Sequence, residues 1–99
     1  MISEVVEAYL TSYCYGREKM TSSRIIEQQL RIDGFDLRQG VNQLRRQGIP
    51  IASESKGYFY AANPTELEPT LRHLRHRRAA IDAAIEGLEK AQIRLIGMP

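Results

Sequence analysis

The side chains best suited to recognition chemistry lie between residues 33 and 47, where the spacing predicts a helix. Leu37, Val41 and Leu44 recur at helical intervals and predict its buried face. The opposite face carries a set of polar and aromatic residues that we expect to be exposed: Phe35, Arg38, Gln39, Asn42 and Arg46. Arginine, glutamine and asparagine form paired hydrogen bonds with guanine and adenine edges in the major groove of DNA. The pattern therefore favours a helix that reads bases.

Other reactive side chains lack the neighbours that catalysis or metal binding needs. His73 and His76 are placed to share one helix face, but no cysteine or carboxylate completes a zinc site near them, so we interpret both as solvated. Cys14 has no histidine placed beside it by any motif, and we interpret it as an inert thiol. A glycine-rich phosphate loop and acids at catalytic spacing are also missing from the sequence. We therefore expect no enzyme activity, no metal and no cofactor.

Length and composition indicate one small domain. A chain of 99 residues has the usual size of a single domain, and its 42% hydrophobic content is ordinary for a globular protein. No apolar run reaches the roughly 18 residues that a membrane span needs. The N-terminal segment contains Glu4 and Glu7 and lacks a basic stretch, unlike a signal peptide. With a single cysteine there is no internal disulfide, and we expect a cytoplasmic protein.

Charge is unevenly distributed along the chain, although the net charge is only +2. Residues 17–46 contain seven lysines and arginines against four acids, and residues 72–78 (RHLRHRR) contain four arginines and no acid. Basic segments of this kind favour an anionic partner, and a solvated charged surface is the alternative.

Three helices are predicted before residue 48. A stripe of apolar residues over 2–13 predicts the first helix, with Ser3 as its N-cap, and a loop follows over 14–20. Ser22 is a suitable N-cap for a short second helix. Asp33 is the N-cap of the third helix, which ends at Gly48.

A β-hairpin is predicted after the third helix. Residues 49–53 alternate in hydropathy, residues 54–57 form a turn cluster, and residues 58–61 form an aromatic strand. Pro50 lacks a backbone N–H, which suits an edge strand.

A long helix follows, with Asn63 as its N-cap. Pro69 either kinks its first turns or marks its true start. Beyond the start, apolar residues keep a heptad spacing that only Arg78 and Gln92 interrupt. The seven apolar members, which we expect to form a dimer contact, are Leu67, Leu71, Leu74, Ile81, Ile85, Leu88 and Leu95.

Two arrangements of this helix are compatible with the pattern: folding back onto the first helix, or pairing with a second copy. About 27 residues at 1.5 Å per residue span roughly 40 Å, which exceeds what so small a domain can cover. The length therefore favours a homodimeric coiled coil, parallel or antiparallel.

The predicted fold class is α+β, mainly α. Residues 1–62 are predicted to form a winged helix-turn-helix, and residues 63–99 a C-terminal dimerisation helix. In this arrangement the recognition helix, 33–47, enters the major groove, and the wing, 49–62, contacts the DNA backbone.

Residues 22–60 resemble the N-terminal winged-helix domain of the bacterial biotin-operon repressor family. The matching positions are Ser22, Ile26, Leu30, Ile32, Asp33, Leu37, Val41, Leu44, Arg45, Gly48, Lys56, Gly57 and Tyr58. No ligase domain follows, so biotin binding and catalysis are not implied. With its long last helix, the layout is also similar to PadR-type regulators and to small prophage-encoded winged-helix proteins.

The resemblance implies roles for individual residues. Ser22 and Ser23 would present backbone N–H groups to a phosphate. Further backbone contacts would come from Arg24, Arg31, Arg45 and the wing-tip Lys56, and base contacts from Arg38, Gln39 and Asn42. The function implied is that of a sequence-specific, homodimeric transcriptional regulator from a bacterium or phage, with double-stranded DNA as partner. The alternative is a winged-helix adaptor that binds proteins, for example in phage DNA packaging or replication.

Overall fold

The computed structural model describes residues 1–55 and 57–98. Four α-helices are found in these residues: α1 (Ile2–Tyr13), α2 (Ser23–Leu30), α3 (Gly34–Arg46) and α4 (Pro64–Ile96). Three short strands complete the fold: β1 (Thr21–Ser22), β2 (Ile51–Glu54) and β3 (Gly57–Tyr60). The predicted α+β class, mainly helical with a long C-terminal helix, is confirmed.

The strands form one antiparallel sheet in the order β1-β3-β2. The predicted hairpin is present, with Ile51 opposite Tyr60 and Glu54 opposite Gly57. Its first strand begins two residues later than expected, because a tight turn at Pro50 brings the Ile51 N–H to the Ile49 carbonyl at 2.8 Å. The sequence did not predict β1, whose two residues pair with Tyr58 and Gly57. That pairing attaches the start of α2 to the hairpin.

Three of the four predicted N-caps are confirmed. The side chains of Ser22, Asp33 and Asn63 each accept a hydrogen bond from a backbone N–H three residues later, at 2.8–3.3 Å. Ser3 is the exception. Helix α1 already begins at Ile2, because the Val5 N–H donates to the Met1 carbonyl at 3.2 Å, and Ser3 lies buried within the first turn.

The hydrophobic core lies between α1, α2, α3 and the sheet. The predicted inner face of α3 is confirmed, since Leu37, Val41 and Leu44 are each 1% exposed. Phe59 of β3 is the largest fully buried side chain. At the end of α3, Gly48 has a φ of +86°, the left-handed conformation expected of a residue that ends a helix.

The predicted loop over 14–20 is held against β3 and contains one turn of 3₁₀ helix (Arg17–Lys19). The Tyr60 N–H donates to the Cys14 carbonyl, and the Gly16 N–H donates to the Tyr60 carbonyl, both at 2.7 Å. An ion pair joins Arg17 Nε to Glu54 Oε2 at 2.9 Å. The loop therefore fixes both strands of the hairpin relative to α1.

Helix α4 starts at its Asn63 cap, so Pro69 lies within the helix and does not mark its start. Its first turns pack on the sheet: Thr70 is buried, and its hydroxyl accepts from the Ser53 N–H at 3.0 Å and donates to the Ser53 carbonyl at 3.3 Å. From residue 71 to residue 98 every side chain is exposed except the half-buried Ala91. The described residues contain no helix that combines the length and apolarity needed to cross a membrane.

Gly57→Ala is expected to lower the free energy of unfolding by about 1–3 kcal/mol. A Cβ at residue 57 would lie 2.8 Å from the Thr21 carbonyl oxygen and 3.0 Å from Met20 Cγ. Since the first of these atoms is backbone, β1 must move away from β3. Denaturant unfolding measures the loss. The matched control is Gly87→Ala, whose Cβ would have no atom within 4 Å, so it should stabilise α4. Equal midpoints for Gly57→Ala and the parent would contradict a contribution from this pairing.

Candidate nucleic-acid interface

The outer face of α3 is exposed, as its spacing predicts. Arg38, Gln39, Asn42 and Arg46 are all exposed, and Phe35 near the start of the helix is 60% exposed. Apolar packing of the opposite face fixes the orientation of the helix, so these five side chains are available to a partner. Guanidinium and carboxamide groups arranged in this way can make bidentate hydrogen bonds to base edges.

The five side chains do not all face the same surroundings. Arg38 and Asn42 line a groove of about 200 Å³ between α3, the hairpin and the beginning of α4. Gln39 lies on the other side of α3, in a depression lined by Met1 and by the first residues of α1, Ile2 and Ser3. The outer face of α3 therefore has two sides. The side with Arg38 and Asn42 adjoins polar residues of the hairpin and of α4, and the side with Gln39 adjoins the start of α1.

That groove, called here the α3–α4 groove, includes residues that sequence reasoning did not assign to the interface: Ser53, Tyr58, His73 and Arg77. The sequence did reveal the basic run at 72–78, but only as a charged segment. His73 and Arg77 are four residues apart and therefore share a helix face. The sequence could therefore predict that His73 and Arg77 lie on one face of α4. Only the fold shows that this face points towards α3.

Arg45, a predicted contact to the DNA backbone, makes hydrogen bonds within its own chain. It is half-buried, and its Nε donates to the Ile51 carbonyl at 2.9 Å while Nη2 donates to Ser53 Oγ at 3.1 Å. Burial lowers the pKa of this guanidinium, Tyr58 opposes that effect, and the positive charge of Arg77 adds to it. In the structure Arg45 holds β2 against α3.

The residues predicted to contact phosphates around α2 are placed as follows. Ser22 Oγ accepts from the Ile25 N–H at 3.3 Å, so its side chain is occupied with capping α2. Ser23 is half-buried, whereas Arg24 and Arg31 are exposed. Arg31 ends the helix in the left-handed conformation, with a φ of 56°. The predicted wing-tip residue, Lys56, lies outside the described residues.

Glu27 of α2 lies close to Arg38 on the outer face of α3. An ideal Cβ on Gly34 would lie 3.2 Å from Arg38 Nη1 and 3.4 Å from Glu27 Oε2, so both charged groups approach the start of α3. Glu27 therefore reduces the positive potential at Arg38 more than at the α4 side of the groove.

Cys14 is buried, and its thiol donates to Thr21 Oγ1 at 3.2 Å. Burial raises the pKa of this thiol, which the Thr21 hydrogen bond only partly offsets, so it is held in the protonated form. Within the described part of the chain, no three histidine, cysteine, aspartate or glutamate side chains are grouped to hold a metal ion.

The predicted dimer contact on α4 divides into two parts. Leu67 is half-buried against the core, and Leu71 and Leu74 line an apolar groove with Ile49 and Pro50. These three leucines lie beside the chain's own hairpin, but Leu71 and Leu74 remain 42% and 37% exposed, so the contact of all seven residues with a partner stays a prediction. The remaining members of the stripe are 49–71% exposed: Ile81, Ile85, Leu88 and Leu95.

Comparisons of the chain with protein-family models, with curated proteins and with solved structures find no match. A function is therefore inferred from the positions and chemistry of the residues themselves.

Proposed function

We propose that residues 1–62 form a winged helix-turn-helix that binds double-stranded DNA, with α3 as the recognition helix. The order of elements supports this proposal: a helix, a short strand, two helices, and then two strands whose second pairs with the short first strand. In such domains the last of the three helices enters the major groove, and the preceding helix braces it against the DNA backbone. The resemblance of residues 22–60 to the biotin-operon repressor domain supports the same arrangement.

The observation that carries the proposal is the outer face of α3. Arg38 and Asn42 project from a helix whose inner face is fully packed, so their positions are set by the core. Each can form two hydrogen bonds with one base, arginine with guanine and asparagine with adenine. We therefore propose a sequence-specific DNA-binding regulator of transcription.

The regulator is further proposed to act as a homodimer through the distal part of α4. This helix has 33 residues and is about 50 Å long. Ile81, Ile85 and Leu88 form an exposed apolar stripe on it, and pairing two such stripes removes both from water. Two DNA-binding domains would then engage two half-sites.

Arg38→Ala and Asn42→Ala are each expected to weaken specific DNA binding by about 1–3 kcal/mol. Both side chains are exposed, so the temperature of thermal unfolding should change little. Binding is measured on the preferred DNA and on a scrambled duplex. The matched control is Gln43→Ala, which removes an exposed side chain on the α1 side of α3 and should leave affinity unchanged. If Arg38→Ala binds as well as the parent, α3 does not read bases through this side chain.

Selection of bound duplexes from a random DNA pool tests the proposed function directly. A regulator should enrich one motif, with two half-sites if it acts as a dimer. Its affinity should also fall as salt increases, because bound phosphates release counterions. A pool without enrichment and an affinity independent of salt would favour the adaptor that binds proteins.

A further inference from the structure

The α3–α4 groove concentrates positive charge. Its lining contains three arginines and a histidine from two different helices: Arg38, Arg45, His73 and Arg77. No acidic side chain of the described residues lines it. Tyr58 and Asn42 add neutral hydrogen-bond donors on the hairpin and on α3. An anion that enters the groove would therefore meet donors on three sides.

Two of the arginines, Arg45 and Arg77, line the groove from different helices. Arg45 is fixed by its hydrogen bonds to β2, and the charge of Arg77 is felt at its guanidinium. Among the described residues the one ion pair joins Arg17 to Glu54, which follows Ser53 in β2 but does not line the groove. Within the described residues the half-buried Arg45 therefore has no carboxylate partner, and a bound anion would offset the positive charge of both arginines.

The neighbours of Arg77 along α4 do not neutralise it. The positions one turn before and after it are His73, Leu74, Ala80 and Ile81. By contrast, Arg72 has Glu68 four residues before it, and Arg78 has Asp82 four residues after it. Of the four arginines between residues 72 and 78, Arg77 is thus the one that lines the groove, and no acidic residue lies three or four positions from it on α4.

We propose that the α3–α4 groove binds a phosphate group, contacted by Arg77 and His73 from α4 and by Arg38 from α3. The phosphate is a phosphodiester of bound DNA, so the inference rests on the proposed function for its source. Arginine suits this ligand because its planar donors match phosphate oxygens. Helix α4 is then a second DNA-contacting element, in addition to linking two copies.

Arg77→Gln tests this proposal, with Arg75→Gln as its matched control. Both substitutions remove one positive charge from α4, but Arg75 lies on the opposite face, away from the groove. Arg77→Gln is expected to weaken DNA binding by roughly 5- to 10-fold per bound subunit near 0.1 M salt, with a shrinking loss towards 1 M. A plot of log affinity against log salt concentration has a negative slope, and its magnitude should fall by about 0.9 for each phosphate contact that is lost. The temperature of thermal unfolding should change little, because the side chain of Arg77 is exposed.

A second measurement uses inorganic phosphate as the probe, titrated against chloride at constant ionic strength. In the parent and in Arg75→Gln, the NMR chemical shifts of the backbone amides of residues 73–77 should change on adding phosphate and reach a plateau. In Arg77→Gln these changes should be absent. DNA binding that is identical in both variants, together with no saturable phosphate shifts, would overturn the inference and leave the proposed function intact. A parent that binds no DNA but shows the Arg77-dependent shifts would overturn the proposed function and identify a free phosphorylated molecule as the ligand.

Discussion

Phe59→Ala is expected to lower the free energy of unfolding by about 3–5 kcal/mol, a large fraction of the stability of a small domain. Phe59 is fully buried in β3 and is the largest such side chain in the core. Its removal leaves a cavity between the sheet and the helices, which the short strands cannot collapse to fill. Denaturant unfolding followed by circular dichroism measures the change.

The matched control for this substitution is Phe35→Ala, since the chain contains two phenylalanines. Phe35 is 60% exposed, so the same chemical change should alter stability by less than about 1 kcal/mol. Because Phe35 lies on the outer face of α3, the substitution should lower the affinity for DNA rather than the free energy of unfolding. Comparable destabilisation by the two substitutions would contradict the placement of the core.

Ile85→Lys is expected to convert a dimer into a monomer and to lower affinity for DNA with two half-sites by roughly 10²- to 10⁴-fold. The substitution places a charge in the middle of the exposed apolar stripe, where a partner helix would bury it without a counter-charge. Residue 85 is beyond the part of α4 that packs on the sheet, so the fold of each subunit should be preserved. Sedimentation velocity and DNA titration measure the two effects.

Ile93→Lys serves as the control, because Ile93 is also exposed on α4 but lies outside the heptad stripe. It should leave both the dimer and the DNA affinity unchanged. A parent chain that sediments as a monomer at all concentrations tested would contradict the proposed pairing through α4.

Local signals were sufficient to predict the four helices and three of their four N-caps. The spacing of Leu37, Val41 and Leu44 predicted which face of α3 is buried, since a helix buries residues at fixed intervals. Ser22 and Asp33 were recognised as caps because capping depends on residues within one turn. Strand β1 was missed for a related reason: two residues are too few to show an alternating pattern, and its partner is distant in sequence.

The composition of the candidate site depended on contacts between distant segments, which the sequence pattern does not encode. Arg45 has the same residue type and helical context as Arg46, yet only Arg45 is turned towards the carbonyl of Ile51. Likewise, nothing local to Arg77 indicates that α4 passes beside α3 and brings it near Asn42. Which arginines are free to bind a partner was therefore decided by tertiary packing.

The hydrogen bonds on the outer edge of β2 have a consequence for how this chain can associate. An edge strand normally offers unpaired N–H and carbonyl groups to which a strand of another molecule can add. Here Thr70 occupies both backbone groups of Ser53, and Arg45 occupies the carbonyl of Ile51. The opposite edge is β1, with only two residues. The sheet thus offers little template for strand addition, which disfavours aggregation through its edges and leaves helical surfaces for self-association.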